Sequence, residues 1–239
     1  MKKTVSLIFL LLFTHMFSYE FNYEKKMVNY DYNKLKSINL KLDKKLVYTS
    51  GGVLAGSFLL DETIRRVVKK NKNSFSDNYF ETMNIFGGDY AILLLMGTYG
   101  SSILTQDEKL RKTSFTSIES LTVAGTLTLG VKMLLGRARP YMDKGAFEFK
   151  SILNFGTDYW AFPSGHSTVA WAIFTPYAEE YSKWIYIIPA SVSLARVYKD
   201  RHWSSDVIAG GLIGFSVGYI LHKWNNNIKF TGNGIKIEF

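Results

Sequence analysis

The chain contains no cysteine. That excludes disulfides, thiol catalysis and thiolate metal sites, and it leaves the compartment undecided. Proline is scarce, with four in 239 residues. Histidine is confined to His15, His166, His202 and His222, so imidazole chemistry beyond the start of the chain has three positions to use. Acidic residues are outnumbered, 20 Asp and Glu against 29 Lys and Arg, giving a net charge of +9. A basic chain meets nucleic acid, or it meets anionic lipids and phosphates. No nucleic-acid motif is present. The basic residues gather at Lys34, Lys36, Lys41, Lys44 and Lys45, and again at Arg65, Arg66, Lys69, Lys70 and Lys72. The second group lies on a helix-like stretch with Ile64, Val67 and Val68 on its apolar side, which reads as a solvated helix face. With 47% hydrophobic residues the chain has material for a full core, and 15% aromatics argue against disorder.

The first residues, MKKTVSLIFLLLFTHMFSYE, place Lys2 and Lys3 before an apolar run from Val5 to Phe13. That is the form of a secretory signal, too short for a membrane span, and residues 1–18 are set apart from the fold. A polar lead-in rich in Tyr and Lys follows over 19–45. Six apolar stretches come next, at 46–60, 88–105, 114–131, 166–177, 184–198 and 206–222. Each is longer than a typical strand, and only Pro176 and Pro189 interrupt them, so all six are expected to be helices. Loops are expected at the polar clusters 70–77 and 106–112. Glycines at 51, 52 and 56, and at 210, 211, 214 and 218, suit close helix packing. The expected fold is all-α: a bundle of about six core helices over 46–223. In the tail, 224–239, apolar residues alternate around Gly-Asn-Gly, which predicts a short β-hairpin.

Three polar clusters interrupt the apolar pattern. The first is KMLLGRARPY, with Lys132, Arg137, Arg139 and Pro140. The second is PSGH, residues Pro163 to His166. The third is ARVYKDRHWSSDV, holding Arg196, His202 and Asp206. Singly, each has an ordinary structural account. Ser164 suits a helix N-cap, Lys132 and Arg139 suit a helix C-terminal end, Asp206 suits another N-cap, and Trp203 suits packing. Their positions along the helices tell more. The third stretch ends near Lys132, the fourth begins near His166, the fifth ends near Arg196, and the sixth begins near Asp206. Short loops favour antiparallel neighbours, so all four ends meet at one end of the bundle. Cations, two histidines, a carboxylate and a helix N-terminus then form a site for phosphate or a similar oxyanion. A lysine and two arginines would neutralise its oxygens. The N–H groups of Gly165 and His166 would add hydrogen bonds. Asp206, one helical turn from His202, would fix that ring's tautomer, making His202 the nucleophile and His166 the acid.

Lys132 with Arg139-Pro140, then Ser164-Gly165-His166, then Arg196, His202 and Asp206 resemble the three-part signature of the type 2 phosphatidic acid phosphatase superfamily. That superfamily also holds bacterial class A acid phosphatases and vanadium haloperoxidases. The resemblance spans 132–206. It implies that Lys132, Arg139, Ser164, Gly165 and Arg196 hold the phosphoryl group. It implies a phosphohistidine on His202, protonation by His166, and no metal or other cofactor in the phosphatase branch. One position departs from the pattern: Ala195 stands where the family usually has serine. Asp200 and Arg201 fall outside the pattern and read as loop residues.

The function expected is a metal-independent phosphatase of the bacterial cell envelope, acting on a small phosphomonoester or a phosphorylated lipid, with membrane association and no nucleic-acid partner. Two alternatives carry the same cradle: a vanadate-dependent haloperoxidase, and a catalytically silent phosphate-binding envelope protein. Topology adds a constraint. If residues 1–18 are removed and six helices cross, the pocket faces the cytoplasm, whereas the resemblance implies an outward pocket. Either one stretch, such as 46–60, does not cross, or the apolar start remains as an anchor, or the bundle is soluble in the periplasm. The expectation adopted is a membrane-associated bundle with a periplasm-facing pocket.

Overall fold

The computed structural model describes residues 44–150, 157–231 and 234–237. The expected signal segment and nearly all of the lead-in lie outside the described residues. Among the described residues there are seven α-helices: α1 Lys44–Lys70, α2 Ser74–Ile85, α3 Asp89–Leu104, α4 Glu108–Leu135, α5 Gly165–Glu180, α6 Ile187–Tyr198 and α7 Ser204–Asn227. The all-α class is as expected. The predicted hairpin is also present: β1 Ile228–Thr231 runs antiparallel to β2 Gly234–Ile237, with Ile228 opposite Ile237.

Two expected loops are partly helical. Residues from Ser74 onward form α2, because Asn73 and Ser76 make a reciprocal capping box, each side chain bonding the other's backbone N–H. Residues from Glu108 onward open α4, because the Asp107 carboxylate accepts the Leu110 N–H at 2.9 Å. In both cases a polar cluster that reads as a loop is a helix start. The other end of α4 closes at Gly136, whose backbone is left-handed with φ 57°.

The core is built from α4, α5 and α7. Glycines decide how closely α7 approaches α5. A Cβ at Gly210 would lie 2.4 Å from the Ser164 carbonyl oxygen, and one at Gly214 would lie 2.5 Å from that of Thr168. Backbone therefore packs against backbone at the very start of α5. The glycines of α1 behave differently: none of the described atoms lies within 4 Å of a Cβ built at Gly51, Gly52 or Gly56. Small hydroxyl side chains fill the seam between α4 and α5. Ser117 donates to the Ile173 carbonyl at 2.9 Å, and Thr128 and Thr168 pair at 2.9 Å. The large apolar side chains of α4, including Val123, Leu127, Leu129 and Leu134, point outward instead. Among the described residues, two helices, Glu108–Leu135 and Ser204–Asn225, are long and apolar enough to cross a membrane.

Candidate active site

The ends of four helices meet as the spacing predicts. Lys132 lies in the last turn of α4 and Ser164 caps α5, its hydroxyl accepting the Ser167 N–H. The Lys132 side chain passes over the start of α5: its Cε is 3.7 Å from where a Gly165 Cβ would stand. Its Nζ donates to the Trp160 carbonyl at 2.7 Å. The Ser164 N–H donates to the Asp206 carbonyl at 2.9 Å, which ties the starts of α5 and α7 together. Arg196 ends α6, and its carbonyl accepts the N–H groups of Arg201 and His202 at 3.1 and 3.3 Å. That turn places His202 inward, 3% exposed. Arg139 is half-buried at the loop after α4, with Nε on the Thr157 carbonyl at 2.9 Å and Nη1 on that of Arg201 at 3.2 Å.

The His202 ring has two partners at Nδ1. The Ala161 carbonyl oxygen is 2.8 Å away and the Asp206 carboxylate 3.4 Å. Both are acceptors, so both favour a proton on Nδ1 and leave Nε2 with its lone pair available. The expected orienting role thus falls first to a backbone carbonyl and second to Asp206. His166 stands against the turn between α2 and α3. Its Nε2 lies 3.4 Å from where a Gly88 Cβ would be. Burial lowers the basicity of both imidazoles. For His202 the charges of Lys132, Arg139 and Arg196 lower it further, in that order, and for His166 those of Arg196, Arg139 and Lys132 do the same. The same three cations acting on both rings is the electrostatic signature of one shared pocket. The Nε of Arg196 is buried with no hydrogen-bond partner. A buried, unpaired guanidinium N–H is costly, and an oxyanion is one kind of group that would satisfy it.

Several residues of this region are not legible as site residues in the sequence. Arg137 sits inside the first basic cluster but turns away from the pocket. It is fully buried, with Nη1 on the Asp206 carboxylate at 2.6 Å and Nη2 on Asp61 of α1 at 2.8 Å. Asp61 in turn accepts from the hydroxyls of Ser204 and Ser205 and from the Ser205 N–H. Asp206 is therefore gripped from behind, with its other oxygen on the Trp203 N–H at 2.8 Å. The expected solvated face of α1 is solvated only in part. Arg65 pairs with both oxygens of Asp200, at 2.6 and 2.8 Å, and with Asp143 at 2.7 Å, while its guanidinium lies over the Trp203 ring. Asp200 is thus an anchor for α1 and not a bare loop residue. Trp203 packs as expected, its Nε1–H donating to the Ala138 carbonyl at 2.9 Å.

Residues 113–230 match the model of the PAP2 superfamily. A lipid A 1-phosphatase of Porphyromonas gingivalis is 31% identical over 106 residues, covering 40% of this chain and 24% of that protein. A lipid A 1-phosphatase of Rhizobium etli is 35% identical over 92 residues, covering 36% of this chain and 39% of that protein. The match thus spans well under half the length of either relative. Two solved structures share the fold. A transmembrane PAP2 type phosphatidylglycerolphosphate phosphatase from Bacillus subtilis superimposes with a TM-score of 0.51 at 18% identity, covering 74% of this chain and 92% of that one. LpxE of Aquifex aeolicus superimposes with a TM-score of 0.52 at 20% identity, covering 69% and 96%. The three motifs at their spacing, the four helix ends that meet, and these matches lead to one assignment: the chain belongs to the PAP2 superfamily.

Proposed function

We propose that this protein is a phosphatase that removes the phosphate of a membrane lipid through a phosphohistidine on His202. The observation that carries the reading is the convergence of Lys132, Arg139 and Arg196 on the buried His202 ring and the half-buried His166 ring, with the Arg196 Nε left for an anion. The three cations offset the charge of the phosphate oxygens, and the N–H groups at the start of α5 add to them. His202 Nε2 attacks phosphorus, and the bond from phosphorus to the lipid oxygen breaks. Protonated His166 gives its proton to that oxygen as it leaves. In the second step water attacks phosphorus and passes a proton to His166. The phosphorus–nitrogen bond breaks and inorganic phosphate departs, leaving both imidazoles as they began. In the empty pocket burial and then the cations keep His166 neutral, so its proton arrives with the substrate, whose negative charge offsets theirs.

A lipid substrate is supported by the named relatives and by the molecule's own surface. Helices α3 and α4 expose Leu93, Ile103 and Leu104, and Leu127, Leu129 and Leu134, around a seam of small hydroxyls. That is the arrangement of helices packed in lipid, where apolar surface has no reason to turn inward. With α4 ending and α7 beginning at the pocket, two antiparallel crossings put the pocket at one membrane face. That face is the periplasmic one if a single stretch between the secretory start and α4 also crosses, since an exported start leaves the chain outside the cytoplasm. The test is phosphate release from lipid A and from phosphatidylglycerol phosphate in detergent micelles, with acid-quenched protein assayed for phosphohistidine. Release that His202→Ala abolishes is expected. Equal release by His202→Ala, or none from any phosphorylated lipid by the unaltered protein, overturns the reading.

A further inference from the structure

The α2 helix has no fully buried residue, yet it is fastened along α6 by a row of polar contacts. The Tyr79 hydroxyl meets that of Ser191 at 2.7 Å, and the Tyr198 hydroxyl donates to Asp77 at 2.7 Å. The Phe80 and Tyr198 rings lie 4.6 Å apart, and Lys199 pairs with Glu81. At the end of this seam the side-chain amide oxygen (Oδ1) of Asn84 accepts from Nη1 of Arg196 at 2.6 Å. Three residues on, the chain passes so close to the pocket that a Cβ at Gly87 would lie 2.6 Å from Val192 Cγ1 and 2.9 Å from His166 Cβ. One short helix and its turn therefore touch a cation and an imidazole of the site at once.

A guanidinium is a planar fork with five N–H groups, and what holds one of its nitrogens decides where the others point. Among the described residues, Asn84 is the side chain that holds a nitrogen of Arg196, and Nε is the buried nitrogen left open. A neutral acceptor is suited to the task. It fixes the plane of the fork without cancelling the charge, which a carboxylate at the same place would do. From this we infer that Asn84 is a positioning residue: it sets the Arg196 guanidinium so that Nε faces the phosphoryl oxygens. The inference rests on the reading of the pocket as a phosphate site, and it gives α2 a purpose its lack of buried residues does not explain.

The probe is orthovanadate, a phosphate mimic whose binding needs no turnover, titrated calorimetrically into the purified full chain in detergent. Asn84→Leu is expected to weaken vanadate binding about tenfold to hundredfold, the range for losing a hydrogen bond to a charged group. Asn84→Ser, a smaller change, serves if the leucine variant does not fold. Tyr79→Phe removes a hydrogen bond from the same seam away from Arg196, and is expected to bind vanadate as the unaltered protein does. In an Arg196→Lys background, Asn84→Leu is expected to cost little more, because the fork it orients is gone. Normal vanadate binding by Asn84→Leu, equal loss in Tyr79→Phe, or full additivity with Arg196→Lys each overturns the inference. Absence of vanadate binding by the unaltered protein overturns it together with the phosphate site. A protein that binds vanadate but releases no phosphate from lipids refutes the proposed activity alone, and the Asn84 comparisons remain decisive.

Discussion

Helix α7 carries a histidine paired with a carboxylate near each of its ends. Before its first turn, His202 Nδ1 lies 3.4 Å from Asp206. Some 18 residues after its start, roughly 27 Å along the axis by the 1.5 Å rise, His222 Nε2 lies 3.8 Å from Glu180. Both imidazoles are buried, at 3% and 7% exposure. Their surroundings have opposite sign. His202 shares its pocket with Lys132, Arg139 and Arg196. His222 has Glu180 beside it and Glu179 close by, and each glutamate is held by a lysine, Lys109 on one and Lys183 on the other. The pairing of histidine with carboxylate is thus no mark of a site. What sets the proposed site apart is the cations that converge on it, because a positive field is what holds a phosphate.

The comparison breaks most severely at His202. His202→Ala is expected to reduce phosphate release to background, while His166→Ala loses about 10²- to 10⁴-fold, read as kcat on a lipid phosphate. Removing the field should come next. Lys132→Ala and Arg139→Ala each lose about 10²- to 10³-fold, as for a lost donor to a developing oxyanion, with vanadate binding falling in parallel. Arg137→Met should act mainly on folding. It leaves Asp61 and Asp206 buried without their shared cation, at a cost of about 3–5 kcal/mol measured by thermal or denaturant unfolding.

The pH profile sharpens the contrast further. Burial and the cations lower His202 well below its ordinary value, so the nucleophile is neutral at pH 7 and is lost only as pH falls through that depressed value. His166 is lowered too, so productive encounters need the proton that the phosphate brings. The rate constant kcat/KM should therefore persist well below pH 6.5 and decline above about pH 6, where a phosphate monoester loses its second proton. A maximum above pH 8 contradicts this field. The smallest effect belongs to the far end: Glu180→Gln should leave activity within about twofold and stability within about 1 kcal/mol, as for a partly exposed ion pair.

Much of the candidate site was legible because its residues sit at helix ends. Apolar periods mark where helices stop and start, and antiparallel order then brings Lys132, His166, Arg196 and Asp206 to one place before any coordinates are known. The partners behind them were not legible. Arg137 stands two residues from Arg139 and looks like a second phosphate ligand, yet it faces Asp61, 76 positions away. Asn84 lies in a helix hidden among Asn, Ser and Asp, residues that favour turns and caps alike. No local period announces such pairings, since each depends on which faces of distant helices come together.

Glycine marks the same boundary. The two sets, in α1 and in α7, read alike along the chain, but only Gly210 and Gly214 meet another backbone among the described residues. Sequence alone determined the helical class, the order of the helices and the chemical kinds of group at their ends, because these follow from local periodicity and residue type. Tertiary structure alone decided which cation faces the pocket, which one braces a carboxylate from behind, and which acceptor fixes the His202 proton. Those choices depend on distance and direction between segments far apart in the chain, and a hydrogen bond holds only over a narrow range of both.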